Sequence, residues 1–239
     1  MFQYKSVQTP LIKINEFCKK FNLPNLLVKD ESQNPFGTWK DRRSNLITEK
    51  AKHNFVNKLC LITSGNSGFS LAKFAGKTDI KIVCIIDKNL SNSIKKSLKE
   101  ICYKIIEVDL SEKILKTEEV IALARENDKE VIWDVTNGFQ QAYEPIIKEI
   151  KNFNPDYLIC PIGSGEAFAG LYDGIKKYKL KVKLIGVKPK SNPSFADKLY
   201  TKWTPYEVKI KSILENGNEI VELTEEEIKS AYIYTKDYM

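Results

Sequence analysis

Seven short runs rich in Val, Ile, Leu or Cys recur along this chain, and helix-like segments fill most of the intervals between them. The runs are Leu26–Lys29, Leu59–Thr63, Lys81–Ile86, Lys104–Val108, Val131–Asp134, Tyr157–Cys160 and Leu184–Val187. Small and apolar residues recur at helical spacing in Ser67–Ala75, Ser91–Ile101, Lys116–Glu126, Ala142–Lys151 and Ala167–Lys177. Short apolar runs bounded by polar turns read as buried strands. Their alternation with helices places the strands in mostly parallel sheets with helices on the faces. The expected class is therefore α/β.

The 239 residues, 42% of them hydrophobic, suffice for one large core or two small ones. No repeat, low-complexity tract or Pro/Gly linker divides them, so a second domain has to arise by the chain crossing over and returning. Apolar stretches such as Ile82–Ile86 are far too short to span a bilayer. The opening MFQYKSVQTP lacks an apolar signal core. A cytoplasmic protein with no membrane partner is expected.

Composition removes several chemistries. The five cysteines (Cys18, Cys60, Cys84, Cys102 and Cys160) are scattered and form no C-x-x-C pair, as reduced core thiols would be. His53 is the only histidine, which leaves little for a histidine metal site or a Ser/His/Asp triad. The net charge of +7 is carried almost wholly by lysine, since only Arg42, Arg43 and Arg125 are arginines. Lysines dispersed among Asp and Glu are a solvated surface, so no nucleic-acid partner is expected.

Ligands of such sheets bind beyond the carboxyl ends of the strands, and three polar loops lie there. In Asn34–Arg43 (NPFGTWKDRR), Asn-Pro and Phe-Gly mark a turn and Thr38 is a candidate N-cap. Lys40 then falls in the first helical turn, where the positive helix end disfavours its charge and leaves more nucleophilic amine. Asp41 suits that end as a capping charge; a surface lysine is the alternative for Lys40. Thr63–Gly68 (TSGNSG) opens a helix with backbone N–H groups and hydroxyls, an anion site or an ordinary capped turn. Pro161–Ala167 (PIGSGEA) lets the backbone approach a phosphate at another helix start. It is no dinucleotide fingerprint, because Phe168 stands where the third glycine belongs. Gly76-Lys77-Thr78 is no P-loop end, because Leu71 holds the earlier glycine position.

Taken in order, these loops resemble fold-type II enzymes dependent on pyridoxal 5′-phosphate, the tryptophan synthase β-like superfamily. KDESQNPFGTWKDRR looks like the lysine segment, TSGNSG the asparagine loop and GSGEA the phosphate loop. Asn137–Glu144 is similar to the segment that re-enters the large domain. Within the group the likeness is greatest to threonine synthase, and it runs from about Gln8 to about Asp197. The resemblance implies two three-layer domains, a large one of residues 1–43 and 144–239 and a small mobile one of 44–143. It implies that Lys40 carries pyridoxal 5′-phosphate as a Schiff base and then moves protons. Asn66 would contact the cofactor's phenolic oxygen. Thr63, Ser64, Asn66 and Ser67 would face the substrate carboxylate. Gly163, Ser164, Gly165, Glu166 and Ala167 would surround the phosphate, with the Glu166 side chain pointing away.

The chain departs from the family pattern after Leu223–Ile228. Relatives continue there with a Ser, Thr or Cys for the pyridine nitrogen and with closing helices. The fold is thus expected to be truncated at the C-terminus and to form a homodimer over exposed sheet surface. The implied activity is lyase or synthase chemistry on a small amino-acid substrate, first that of threonine synthase from O-phosphohomoserine. Cysteine synthase and serine/threonine dehydratase chemistry, and a non-catalytic ligand-binding relative, stand as alternatives. A nucleotide- or nucleic-acid-binding domain is the reading from another class.

Overall fold

The computed structural model describes residues 8–23, 25–111, 114–196, 199–201 and 203–236. Asp197, the expected end of the resemblance, lies outside them, as do 1–7 and 237–239 at the ends of the expected large domain. The strands are β1 (Leu11–Ile12), β2 (Val28–Lys29), β3 (Lys58–Ile62), β4 (Lys81–Asp87), β5 (Lys104–Val108), β6 (Ile132–Asp134), β7 (Tyr157–Pro161), β8 (Lys183–Pro189) and β9 (Glu219–Leu223). The helices are α1 (Asn15–Lys20), α2 (Lys40–His53), α3 (Asn66–Ala75), α4 (Asn92–Lys99), α5 (Thr117–Ala124), α6 (Glu144–Ile150), α7 (Glu166–Tyr178), α8 (Glu207–Glu215) and α9 (Glu225–Thr235). Contacts divide the chain into two compact units, one built on Glu31–Phe139 and one on Gln8–Asp30 with Gln140 onward. The expected boundaries were 43/44 and 143/144. The contact boundaries fall instead at 30/31 and 139/140, and α2, packed along α3, lies with the first unit.

The first unit is a four-stranded parallel sheet in the order β5-β4-β3-β6. Its strands alternate cleanly. Leu59, Leu61, Ile82, Cys84 and Ile86 pack against Ile47 of α2, Leu71 of α3 and Leu98 of α4. Cys60, Val83 and Ile85 meet Val120 and Ala124 of α5 on the opposite face. Each such aliphatic side chain contributes about 1.5–3 kcal/mol by leaving water. Helices thus cover both faces, because successive side chains point to opposite sides. Lys58, buried at the start of β3, is held by Glu126 and Glu130 at 3.0 Å each. Burial works to lower its pKa, but the two carboxylates outweigh it and the group stays charged with a raised pKa.

Cys84 on β4 and Cys102 after α4 place their sulfurs 3.4 Å apart. The hydrogen bond between them holds the half-exposed Cys102 thiol below its ordinary range and pushes Cys84 well above it. Burial pushes Cys60 and Cys160 up to about 12. Reactivity follows the thiolate. Iodoacetamide at neutral pH should therefore label Cys102 before Cys60, Cys84 or Cys160, as read by peptide mass mapping. Equal labelling of Cys160 and Cys102 would contradict that order.

The second unit holds the three-stranded parallel sheet β7-β8-β9 and the small antiparallel pair β1-β2. Phe168 and Ile162 close over Gly186 of β8, where a Cβ would meet each within 3.2 Å. On β7, Tyr157 and Ile159 are 62% and 61% exposed, so that side of the strand is open. The helix expected over Ala142–Lys151 opens with a 3-10 turn at Gln140–Tyr143 and becomes α6 only at Glu144, with Pro145 in its first turn. Helix α9 starts with a capping box: Thr224 Oγ1 accepts from Glu227 N, and Glu227 Oε2 accepts from Thr224 N at 2.8 Å. Among the described residues no helix is long and apolar enough to cross a membrane.

Candidate active site

The order β5-β4-β3-β6 reverses direction between β3 and β6, and loops that leave such a switch point open a crevice for ligands. The loop after β3 is Thr63–Gly65. Thr63 is buried, and its Oγ1 accepts from Gly65 N at 3.1 Å and from Gly68 N at 3.0 Å. It therefore holds the loop's shape. Gly65 sits at φ 140° just before α3, which begins at Asn66, one residue earlier than expected. Gly68 has no room for a Cβ, which would lie 2.7 Å from Thr63 Cγ2 and 2.9 Å from Cys84 Sγ. Ser64 and Asn66 are exposed and Ser67 is half-buried, at a helix opening whose cap residue, Gly65, has no side chain. That opening suits a carboxylate.

The lysine segment is braced by its own charges. Glu31 grips Arg42 twice, Nε to Oε2 at 2.6 Å and Nη2 to Oε1 at 2.8 Å. Asn34 Nδ2 donates to the Glu31 carbonyl at 2.8 Å, and Gly37 turns the chain at φ 78°. Arg43 is buried, donates to the Val135 carbonyl and lies 5.5 Å from the Phe139 ring centroid. Asp41 is no simple capping charge. It is 1% exposed, and its Oδ2 accepts from Phe36 N while its Oδ1 accepts from Ser70 Oγ, both at 2.6 Å. Ser44 joins at 2.8 Å from Ser70. The first turn of α2 is thereby fastened to α3, because a buried carboxylate is held by the donors it satisfies.

Lys40 is the first residue of α2 and half-buried, with Nζ 5.7 Å from the Trp39 ring centroid. The helix begins one residue later than Thr38 as N-cap requires. Trp39 is the cap, without a side-chain bond, and Thr38 Oγ1 accepts from Lys40 N at 3.3 Å. Asp41→Asn should cost about 2 kcal/mol, since one of two charge-assisted bonds loses its acceptor. Chemical denaturation would measure it, and a midpoint equal to wild type would contradict this account of the turn.

The glycine loop of the second unit runs from β7 into α7. Gly165 is the cap residue of α7 at φ 87°, in the left-handed region. Its Cβ would lie 2.7 Å from Ile210 Cδ1. Glu166 is 3% exposed and accepts the Tyr206 hydroxyl at 3.2 Å. Thr201 Oγ1 donates to the Gly163 carbonyl at 3.3 Å, and Thr204 Oγ1 to that of Ser164. The turn's acceptors are thus taken by hydroxyls. No side chain caps α7, whose first-turn N–H groups at Glu166 and Ala167 are the donors an anion needs. The backbone here fits a phosphate ester. Thr201, Thr204 and Tyr206 were not anticipated from the sequence; the only local hint was a run of hydroxyls ahead of a helix. Among the described residues no cluster of His, Cys, Asp and Glu could hold a metal ion.

A family model described as pyridoxal-phosphate dependent enzyme matches residues 3–234. The chain belongs to that family. Family members use pyridoxal 5′-phosphate, and the parallel α/β sheets are those of fold type II. This member is 31% identical over 204 residues to the cysteine synthase of Buchnera aphidicola, covering 77% of this chain and 62% of that protein. It therefore spans somewhat less than two thirds of the curated relative's length. Its fold matches the O-acetylserine dependent cystathionine β-synthase of Helicobacter pylori with a TM-score of 0.76 at 21% identity, over 100% of this chain and 85% of the other. A pyridoxal 5′-phosphate-dependent aspartate racemase gives a TM-score of 0.78 at 15% identity, over 96% and 78%. The fold alone thus hosts more than one reaction.

Proposed function

We propose that this family member is a pyridoxal 5′-phosphate-dependent synthase of the cysteine synthase kind, replacing the β-substituent of an activated serine. The observation that carries the reaction class is the 31% identity to a cysteine synthase. When bound, the cofactor supplies an electron sink for the pair left on the amino acid's α-carbon.

The chain's own residues supply the rest. Lys40 Nζ would hold the cofactor through its aldehyde and, once the substrate amine has displaced it, would take the proton from the substrate α-carbon. Asn66 would orient the cofactor ring through its phenolic oxygen. Ser64, Asn66 and Ser67, at the start of α3, receive the substrate carboxylate, while Thr63 keeps that loop in shape. Gly163, Ser164, Gly165 and Ala167 seat the phosphate through backbone donors, and the Glu166 carboxylate stays with Tyr206. The substrate is a small amino acid, and the protein works as a cytoplasmic homodimer.

The test is a product assay with purified protein and added cofactor. O-acetylserine with sulfide should give cysteine, and O-phosphohomoserine should give no threonine. Threonine from O-phosphohomoserine would instead return the reading to threonine synthase. Cofactor binding without turnover of either would favour the non-catalytic relative.

A further inference from the structure

The segment leading into α8 meets the glycine turn at three successive points. Thr201 Oγ1 donates to the Gly163 carbonyl at 3.3 Å, Thr204 Oγ1 to the Ser164 carbonyl, and Tyr206 OH to Glu166 Oε1 at 3.2 Å. Thr204 Oγ1 also accepts from Tyr206 N at 3.0 Å, which fixes the two residues to each other. Tyr206 is 8% exposed, and Ile210, one turn further, closes on Gly165. In a trans peptide the carbonyl and the following N–H point in opposite directions. Holding the Gly163 carbonyl therefore aims the Ser164 N–H away from Thr201. Holding the Ser164 carbonyl does the same for the Gly165 N–H.

We infer that Thr201, Thr204 and Tyr206 form a positioning strap, which draws the turn's acceptors to itself and leaves its donors facing the phosphate. The inference rests on the reading of Gly163–Ala167 as the cofactor's phosphate cradle. Glu166 makes the strap necessary: a carboxylate loose at this helix start repels a phosphate dianion. Tyr206 keeps it hydrogen-bonded in the protein interior.

The experiment compares affinity for pyridoxal 5′-phosphate with affinity for pyridoxal, the same aldehyde without the phosphate, by equilibrium dialysis of the full chain. Wild type should prefer the phosphate ester. Thr204→Val and Tyr206→Phe should each lower that preference about tenfold, the scale of one lost hydrogen bond, and leave pyridoxal affinity unchanged. Thr204→Ser should keep it, and adding Glu166→Gln to Tyr206→Phe should restore most of it. Should Thr204→Val unfold, Thr201→Val and Tyr206→Phe carry the same test. Unchanged preference in these variants, or an equal loss of pyridoxal affinity, overturns the strap while the cradle stands. A wild type without preference for the phosphate overturns the cradle reading, and the strap falls with it.

Discussion

Lys40→Ala is expected to leave the protein folded and to abolish both the covalent hold on the cofactor and turnover. Folding survives because the turn is held by other residues. Asp41 fastens it to Phe36 and Ser70, Arg42 to Glu31, and Arg43 to the Val135 carbonyl. Lys40 is itself only half-buried, so its truncation should change stability by about 0.5 kcal/mol. Turnover should fall by about 10³-fold or more, because in the proposed function one amine anchors the cofactor and then moves the α-proton. The visible absorbance of the loaded protein should vanish with it. A variant that keeps the absorbance, or keeps a tenth of the activity, contradicts the role given to Lys40. Combined with a nearly unchanged thermal midpoint, the loss would place Lys40 in the chemistry and not in the scaffold.

Gly170→Ala should be the most damaging small substitution in the second unit. A Cβ there would stand 1.9 Å from the Gln140 carbonyl oxygen and 3.1 Å from Tyr143 Cβ. Both lie in a 3-10 turn whose Tyr143 is fully buried, so the backbone cannot step aside without breaking the packing of α6 on α7. Overpacking against backbone of this kind should cost about 3 kcal/mol or more. Because α7 also presents the Gly163–Ala167 turn, cofactor affinity should fall together with stability. Gly174→Ala should cost less, since the Glu144 backbone stands at 3.1 Å rather than 1.9 Å and the nearest obstacle, Ile147 Cγ1 at 2.7 Å, is a side-chain atom. Gly76→Ala, with nothing nearer than 3.4 Å, should be close to neutral. Thermal unfolding of the three variants checks the order. A Gly170→Ala protein as stable as Gly76→Ala contradicts it.

What could be read in advance followed from local periodicity. Strands β3, β4 and β5 are apolar runs that no other element suits, and they form the sheet that the pattern required. Strand β9, Glu-Ile-Val-Glu-Leu, gave no such signal, because its two glutamates interrupt the run and only pairing with β8 makes it a strand. Helix α8 went unseen for a like reason: Ile213 is its one fully buried side chain among lysines and glutamates. The lysine segment is legible as a motif, but the bond from Ser70, 29 residues away, that makes Asp41 more than a cap leaves no local sign. Thr204 and Tyr206 lie 40 residues from the groups they hold, where periodicity carries no information. Of the antiparallel pair, β2 falls within the expected run Leu26–Lys29, whereas β1 is two residues, too few for any pattern.

The central claim is that Lys40 is the residue on which this protein carries its cofactor. Borohydride reduction of the protein incubated with pyridoxal 5′-phosphate, followed by peptide mapping, tests it most directly. The account predicts a single phosphopyridoxyl group, on the peptide that contains Lys40. Label spread over surface lysines, or concentrated on any other single lysine, would contradict it.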